Sequence, residues 1–345
     1  MSIQVVDPLM DRRWDHLVER HPKASVFHKT DWLRALYQTY GYKPFVLTTA
    51  APDETMNDGM VLCTISSWAT GTRAVSLPFA DHCEPLANDS SGILDYFNWL
   101  LAARAQQKWR YVEIRPLFPF GFVGRELQPS SSYSIHELDI QPSLELLFHH
   151  MHGNCIRRKV RRAEKEGLSY QVGRGPELME EFYQLLLITR RRLGILPQPR
   201  SWFRNLLECM GEHLQIRVAR KNGVPIASIL TLSHGRSVVY KYGCSNAEFH
   251  KLGGMPFLFW RLIEESKAWG AARVDFGRTD LQNAGLIRFK DRLGAEKSEF
   301  TYYRYPGGKR GLDKTSRSGA VSRLVSVLPD SICEVAGRVL YRHVG

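Results

Sequence analysis

The chain has 345 residues, 43% hydrophobic and 24% charged, an ordinary globular composition that excludes a disordered chain or a fibre. Its 47 Lys and Arg outweigh 35 Asp and Glu, a formal charge of +12. That balance favours anionic partners without choosing among nucleic acid, phosphate-bearing cofactors and an anionic membrane surface. The longest apolar runs, such as Met255–Trp260, are too short to cross a bilayer, and the first residues lack the basic start and apolar core of a signal peptide. The six cysteines are scattered, with no Cys-x-x-Cys pair; this suits a reducing cytoplasm and offers no metal site. The location expected is the cytoplasm, with the inner membrane surface as an option.

In chain order, helical sequence first appears at Asp31–Tyr37, before Gly41. Phe45–Thr48, a turn at Asp58-Gly59 and Met60–Ile65 read as strand, turn, strand, and a third strand, Arg73–Leu77, follows Gly71. Phe97–Arg115 is an amphipathic helix running into a strand, with the acid Glu113 between apolar residues. The second half repeats this order. Helix Leu178–Leu193 precedes Gly194, and strands Gln215–Ala219 and Ile226–Thr231 flank a turn at Asn222-Gly223. Strand Ser237–Lys241 follows Gly235, and Phe259–Gly277 is again helix then strand. Gly59 meets Gly223 and Gly71 meets Gly235 at an offset of 164; Val112 meets Val274 and Glu113 meets Asp275 at 162. A tandem duplication is predicted, an α+β chain with mixed sheets flanked by helices; two unrelated α+β domains are the alternative. The expected domains are residues 1–150, residues 151–306, and a basic linker with a C-terminal amphipathic helix at 307–345.

A β-meander followed by β-α-β resembles the acyl-coenzyme A N-acyltransferase (GNAT-like) fold. The resemblance implies a helix aimed at a pyrophosphate after the central strands, which puts Gly253, Gly254 and Met255 of the turn His250–Pro256 at the cofactor. Glycines let backbone N–H groups approach phosphate oxygens, and the helix dipole adds attraction. The turn has His250 where the usual motif has Arg or Gln, and Met255 where it has Gly or Ala. A Gly-Gly turn that merely starts a helix is the other reading.

Further pieces are Ser25–Leu33, Asn154–Gly167, Val274–Thr279 and Asn283–Ala295. Together they resemble the Fem-type peptidyltransferases and their BioF2-like relatives, which have two such folds in tandem. The resemblance covers roughly residues 1–305, and Gly285-Leu286-x-x-Phe289-Lys290-x-x-x-Gly294-Ala295 is its most specific part. It implies transfer of an acyl or aminoacyl group to an amine, expected in the groove between the two GNAT-like domains. The acceptor would be a cell-envelope, sugar-nucleotide or lipid-linked molecule bearing phosphate, and the donor acyl-coenzyme A or aminoacyl-tRNA, without a metal. The helical-hairpin arm frequent in tRNA-dependent members is absent from the sequence. Two rival readings are a polyanion (tRNA) binding module without catalysis and a simple acetyl-coenzyme A-dependent N-acetyltransferase.

Acyl transfer needs a positive or N–H donor for the carbonyl oxygen and a base for the amine. The resemblance assigns the electrophilic role to Lys290, which could instead pair with Asp291 or Asp275. Asp275, an acid inside an apolar strand, is either the base or the salt-bridge partner of Arg278, which otherwise goes with the cofactor. Period two puts Tyr240 and Tyr242 on one face of their strand, and Tyr242 is the expected general acid, or core. Asp81 and His82, in the loop Pro78–Pro85, are further base candidates if that loop is not merely polar surface. Trp32, Arg34, Arg157, Arg158, Arg161 and Arg288 are expected on the substrate, the clustered arginines on a phosphate-bearing acceptor or tRNA. From Arg304 on, eight Lys and Arg outweigh three Asp and Glu. The helical end could dock on anionic lipid or cap the second domain.

Overall fold

The structure, a computed structural model, describes residues 2–87, 90–119, 126–307, 325 and 328–344. Its contacts divide it into two units. Unit 1 holds Met1–Tyr133, Phe300–Asp313 and Arg338–Gly345; unit 2 holds Ser134–Glu299 and Lys314–Gly337.

Unit 1 begins with β1 (Gln4–Val6), α1 (Arg12–Arg20) and α2 (Thr30–Tyr40). Asp11 caps α1 by accepting from the Arg13 N–H, and α2 stops at Gly41, whose φ of 72° suits a residue without a Cβ. The strands β2 (Lys43–Thr48), β3 (Met60–Ile65) and β4 (Arg73–Val75) form an antiparallel meander with β1. Then α3 (Ser90–Gln106) crosses over to β5 (Val112–Ile114), which lies parallel to β4. The strand β6 (Gln128–Asp139) begins in unit 1 and ends in unit 2.

Unit 2 continues with α4 (Leu144–His150), α5 (Arg158–Lys165), β7 (Ser169–Gly173), α6 (Pro176–Leu193) and α7 (Arg200–Met210). Pro176 opens α6 and Gly194, at φ 64°, closes it. Strands β7, β8 (Leu214–Lys221), β9 (Val224–His234) and β10 (Ser237–Ser245) pair antiparallel in that order. After them α8 (Gly254–Ala268) leads to β11 (Arg273–Asp275), parallel to β10. A short β12 (Thr279–Asp280), α9 (Ala284–Asp291), β13 (Glu296–Tyr305) and α10 (Asp330–Val344) complete the described elements. On one face of this sheet α4, α5 and α8 bury a cluster that includes Leu258, Leu262, Val274 and Phe276. Each such side chain contributes about 1.5–3 kcal/mol by leaving water. On the other face Phe182 of α6 meets Phe203 of α7, which in turn meets Tyr242.

The duplication is visible in the pairing. Val75 stands opposite Glu113 in unit 1 and Val239 opposite Asp275 in unit 2; these are the residues related by the offsets of 164 and 162. The unit boundaries, however, fall at 133/134 and 299/300 rather than at 150 and 306. The reason is in the last strands. The strand beside β5 is the end of β13, with Tyr303 opposite Ile114, and the strand beside β11 is the end of β6, with Leu138 opposite Val274. Each copy therefore takes its closing strand from beyond its own stretch of sequence.

Helix α10 packs on the fold. In unit 1 the Tyr42 hydroxyl donates to the Tyr341 carbonyl at 2.6 Å, and Arg73 donates to the His343 carbonyl at 2.8 Å. In unit 2 Asp330 and Glu334 pair with Arg191 and Arg200. Gly337 lacks a Cβ where the Pro197 carbonyl oxygen would stand 2.0 Å from one. The linker expected at 309–322 lies outside the described residues.

Candidate active site

In unit 2, β10 and β11 pair only from Ser237 to Val239 on the β10 side. Beyond that β10 runs on to Ser245 beside β9, while β11 ends at Asp275 and the chain turns at Gly277, φ 74°. A gap opens between the two strands. The register of β10 against β9 shifts between Tyr240 and Tyr242, a bulge that adds one residue to β10. This overturns the expectation of a shared face. Tyr240 packs on Phe259 of α8 at 4.8 Å between ring centroids, whereas Tyr242 packs on Phe203 of α7 at 5.1 Å. The Tyr242 hydroxyl accepts from Trp202 at 2.9 Å and from Gln198 at 3.0 Å.

A cavity of about 330 Å³ lies against β9 and β10 at the start of α8, and Tyr240, not Tyr242, lines it. The volume suits a small-molecule site. Its floor is the start of α8. A Cβ on Gly253, φ +82°, would lie 2.4 Å from the Lys159 carbonyl oxygen, and one on Gly254 would lie 3.1 Å from the Ala227 Cβ. The glycines thus let α8 begin in close contact with α5 and β9, which goes beyond a turn that merely starts a helix. No side chain caps α8, and Gly254 and Met255 line the cavity. Lys159 and Arg292 line it as well. His250 meets Ser245 at 2.9 Å, and burial first, then the charges of Arg192 and Lys159, hold its pKa below the usual imidazole value. An uncapped helix start ringed by cations attracts phosphate.

Phe289 and Lys290 are adjacent on α9 and face different ways. Phe289 lines the cavity. Lys290, 2% exposed, turns to the end of β11, where its ammonium donates to the Gly277 carbonyl at 2.7 Å and to Thr279 Oγ1 at 2.6 Å. Asp275, also buried, accepts from the Gly277 N–H at 2.6 Å. Lys290 and Asp275 are therefore brought to one turn, with Arg278 half-buried beside them. The sequence reading missed His136 of β6, which is fully buried. Its Nε2 lies 3.0 Å from Asp291 Oδ1, and its Nδ1 has no partner among the described residues. Burial above all, with Lys290's charge, outweighs Asp291 and holds its pKa down. An imidazole in the run Ile135-His136-Glu137 was the only signal available.

The remaining expected residues lie elsewhere. Arg158 and Arg161 are exposed on α5, Arg161 over the Phe148 ring at 5.8 Å, and Arg288 is exposed on α9. Arg157 closes the π-turn Gly153–Arg157, with its guanidinium against Gly153. Asp81, His82, Trp32 and Arg34 belong to unit 1. Arg34 is exposed and faces Asp31 at 3.7 Å, and Trp32 is buried against Phe27. The Pro78–Pro85 loop is no polar surface: Asp81, His82, Cys83 and Glu84 are all buried in it. Burial pushes the Glu84 carboxyl up to about 7, opposed by hydrogen bonds from the Leu117 and Phe118 N–H groups. Among the described residues no three or more His, Cys, Asp or Glu side chains are grouped to hold a metal ion. Nor is any helix among them long and apolar enough to cross a membrane.

Residues 152–291 match the model of the acetyltransferase (GNAT) domain. No curated protein matches the chain in sequence. Among solved structures it is similar to FemX, at 15% identity and a TM-score of 0.69, over 88% of this chain and 97% of that one. It is also similar to a C-terminal domain ascribed to a lysylphosphatidylglycerol synthetase of Agrobacterium fabrum, at 15% identity and a TM-score of 0.57, over 92% and 94%. A tandem GNAT protein from the clavulanic acid biosynthesis pathway shares 12% identity, with a TM-score of 0.55, over 90% and 100%. The open strand pair, the glycine-started helix and the family match agree: residues 152–291 carry an acetyltransferase (GNAT) domain, and the chain as a whole shares the fold of FemX and of the tandem GNAT protein.

Proposed function

We propose that the chain transfers an acyl or aminoacyl group to an amine on a phosphate-bearing acceptor of the cell envelope, a sugar nucleotide or a lipid-linked molecule. The observation that carries this reading is the cavity beside β9 and β10, with cations and an uncapped helix start in its lining. We read it as the donor site, with acyl-coenzyme A as the donor and aminoacyl-tRNA as the alternative. Gly254 and Met255 present backbone N–H groups to a diphosphate, with Lys159 and Arg292 beside them. Tyr240 and Phe289 wall the acyl end.

Lys290 and Asp275 sit at the turn after β11, where a carbonyl carried between the splayed strands would emerge. In this role the Lys290 ammonium, already donating to two oxygens, stabilises the negative charge that develops on the carbonyl oxygen. Asp275, at the same turn, takes the ammonium proton of the acceptor in this reading, and His136 with Asp291 orients this wall. The names of FemX and of the synthetase domain support envelope acceptors in kind.

The test is a thermal-shift screen with acyl-coenzyme A, aminoacyl-tRNA and sugar nucleotides, followed by transfer assays on the ligands that stabilise. A ligand at a hundred times its Kd stabilises by about 2.7 kcal/mol. Stabilisation by acyl-coenzyme A that Lys159→Glu with Arg292→Glu abolishes is the expected result. Binding of RNA alone, steeply weakened by salt and with no transfer, would instead favour a polyanion-binding module.

A further inference from the structure

Helix α10 has two faces of opposite character. Its acids, Asp330 and Glu334, are each paired with an arginine, Arg191 and Arg200. Cys333 and Gly337 are buried on the same side. The outward face carries Ile332, Val335, Val339 and Leu340, exposed by 49%, 53%, 53% and 38%. Their spacing of three, four and one keeps them on a single stripe of the helix. Arg338 and Arg342 flank that stripe, exposed and without an ion pair among the described residues. In unit 1 the stripe is prolonged by Trp68, the most exposed large hydrophobic side chain described at 88%, whose ring stands edge-on to His343 at 5.4 Å. Arg110 donates to the Thr70 carbonyl in the same loop.

A face with aliphatic side chains, a protruding tryptophan and arginines free of ion pairs among the described residues, on a helix whose acids are already paired, fits a layer that is apolar below and negatively charged above. We propose that the outward face of α10, with Trp68, rests on an anionic phospholipid surface: the aliphatic stripe sinks to the acyl boundary, Trp68 lies at headgroup level, and the arginines meet lipid phosphates. A second protein surface would have to bury a narrow stripe beside uncompensated arginines, which charge complementarity disfavours. The docking involves no residue of the cleft, so it stands or falls apart from the proposed chemistry.

The full chain is sedimented with vesicles of phosphatidylcholine alone and with added phosphatidylglycerol. Capture by the anionic vesicles, reduced by salt, is expected. Each basic residue near such a surface contributes about 1 kcal/mol, a factor of about five, so Arg338→Glu with Arg342→Glu should weaken capture by more than about tenfold. Val339→Asp should release the protein while its thermal midpoint holds, since the side chain faces solvent. A blue shift of tryptophan emission on vesicles should vanish in Trp68→Phe. No capture, equal capture by neutral vesicles, or capture unaltered in Val339→Asp overturns the proposal. So does a concentration-dependent dimer that Val339→Asp dissociates, which would give this face to a second copy. Lys290→Met should sediment like the unaltered chain, which keeps failure of docking distinct from failure of the transfer chemistry.

Discussion

In unit 1 the chain leaving β4 turns at once across to β5, whereas in unit 2 the chain leaving β10 runs on and leaves the space open. The Ser76 N–H donates to the Glu113 carbonyl, and the Arg115 N–H donates to Ser76 Oγ at 2.7 Å. The Arg115 guanidinium holds the Leu77 carbonyl, and the Cys83 N–H returns to the Arg115 carbonyl. Leu77, Ala80 and Leu86 are wholly buried there. The equivalent acids follow suit. Glu113 is locked between Arg115 at 2.8 Å and Arg304 at 2.6 Å, while Asp275 holds the N–H of a turn that also receives a lysine. Beside the matched strand pair, one copy is closed by these bonds and the other lines a cavity. Mutations at matched positions should therefore move stability in unit 1 and ligand or turnover in unit 2.

The largest expected effect is Glu113→Ala. It leaves two buried guanidinium groups without their carboxylate, and losing one partner of a buried ion pair costs about 3–5 kcal/mol. Denaturant unfolding should show that loss, while donor binding per folded molecule stays as it was. Lys290→Met should do the reverse. Turnover should fall by about 10²–10³, as when an oxyanion donor is removed. The orphaned Gly277 carbonyl should cost only about 1–3 kcal/mol. Undiminished transfer by Lys290→Met would remove the lysine from the mechanism.

Glu84 gives a pH test confined to unit 1. Its carboxyl rises from an ordinary 4.5 in the open chain to about 7 in the fold. Below about pH 4.5 both states hold the proton and nothing is lost. Between these values the folded chain binds more protons than the unfolded one, so stability falls as pH rises, and above about 7 the full penalty, on the order of 3 kcal/mol, is in place. Glu84→Gln should leave the thermal midpoint unchanged at pH 4 and raise it at pH 8. A midpoint difference independent of pH would mean that the carboxyl is not held protonated.

The parallel pairs were legible because turns and strand starts carry local signals. Asp58-Gly59 and Asn222-Gly223 mark hairpins, and the acids Glu113 and Asp275 stand in matched apolar strands. Helix ends were legible for the same reason, as Gly41 and Gly194 show. The closing strands were not. Nothing near β5 says that Tyr303 will lie beside Ile114, because that choice depends on contacts more than half the length of the chain apart. The bulge in β10 was equally hidden, since one extra residue reverses the face of everything after it and alternation carries no mark of it. That is why Tyr242 was expected where Tyr240 stands. Glu113's partner Arg304 and the His136–Asp291 pair were missed on the same grounds: each joins residues that the sequence keeps far apart.

The smallest expected effect sharpens the comparison most closely. A Cβ on Gly243 would lie 2.0 Å from the Tyr240 hydroxyl oxygen and 2.8 Å from the ring carbon that bears it. The position 164 residues earlier is Phe79, at φ 59°, packed on Tyr40 and Tyr341 at 5.1 and 5.9 Å. The matched sequence position thus carries a large side chain in the closed copy and none in the open one, where the missing Cβ lets a phenol lie along the cavity wall. Gly243→Ala should push Tyr240 off that wall, and the methyl group has the vacated space to enter. The unliganded thermal midpoint should move by only a few degrees, a change of about 1 kcal/mol or less. Affinity for the stabilising donor should fall by about tenfold, or 1.4 kcal/mol. Tyr240→Ala, which removes the wall without crowding it, should lose at least as much. If Gly243→Ala binds donor undiminished while Tyr240→Ala does not, the phenol has another way to reach the ligand, and the glycine serves only the bulge.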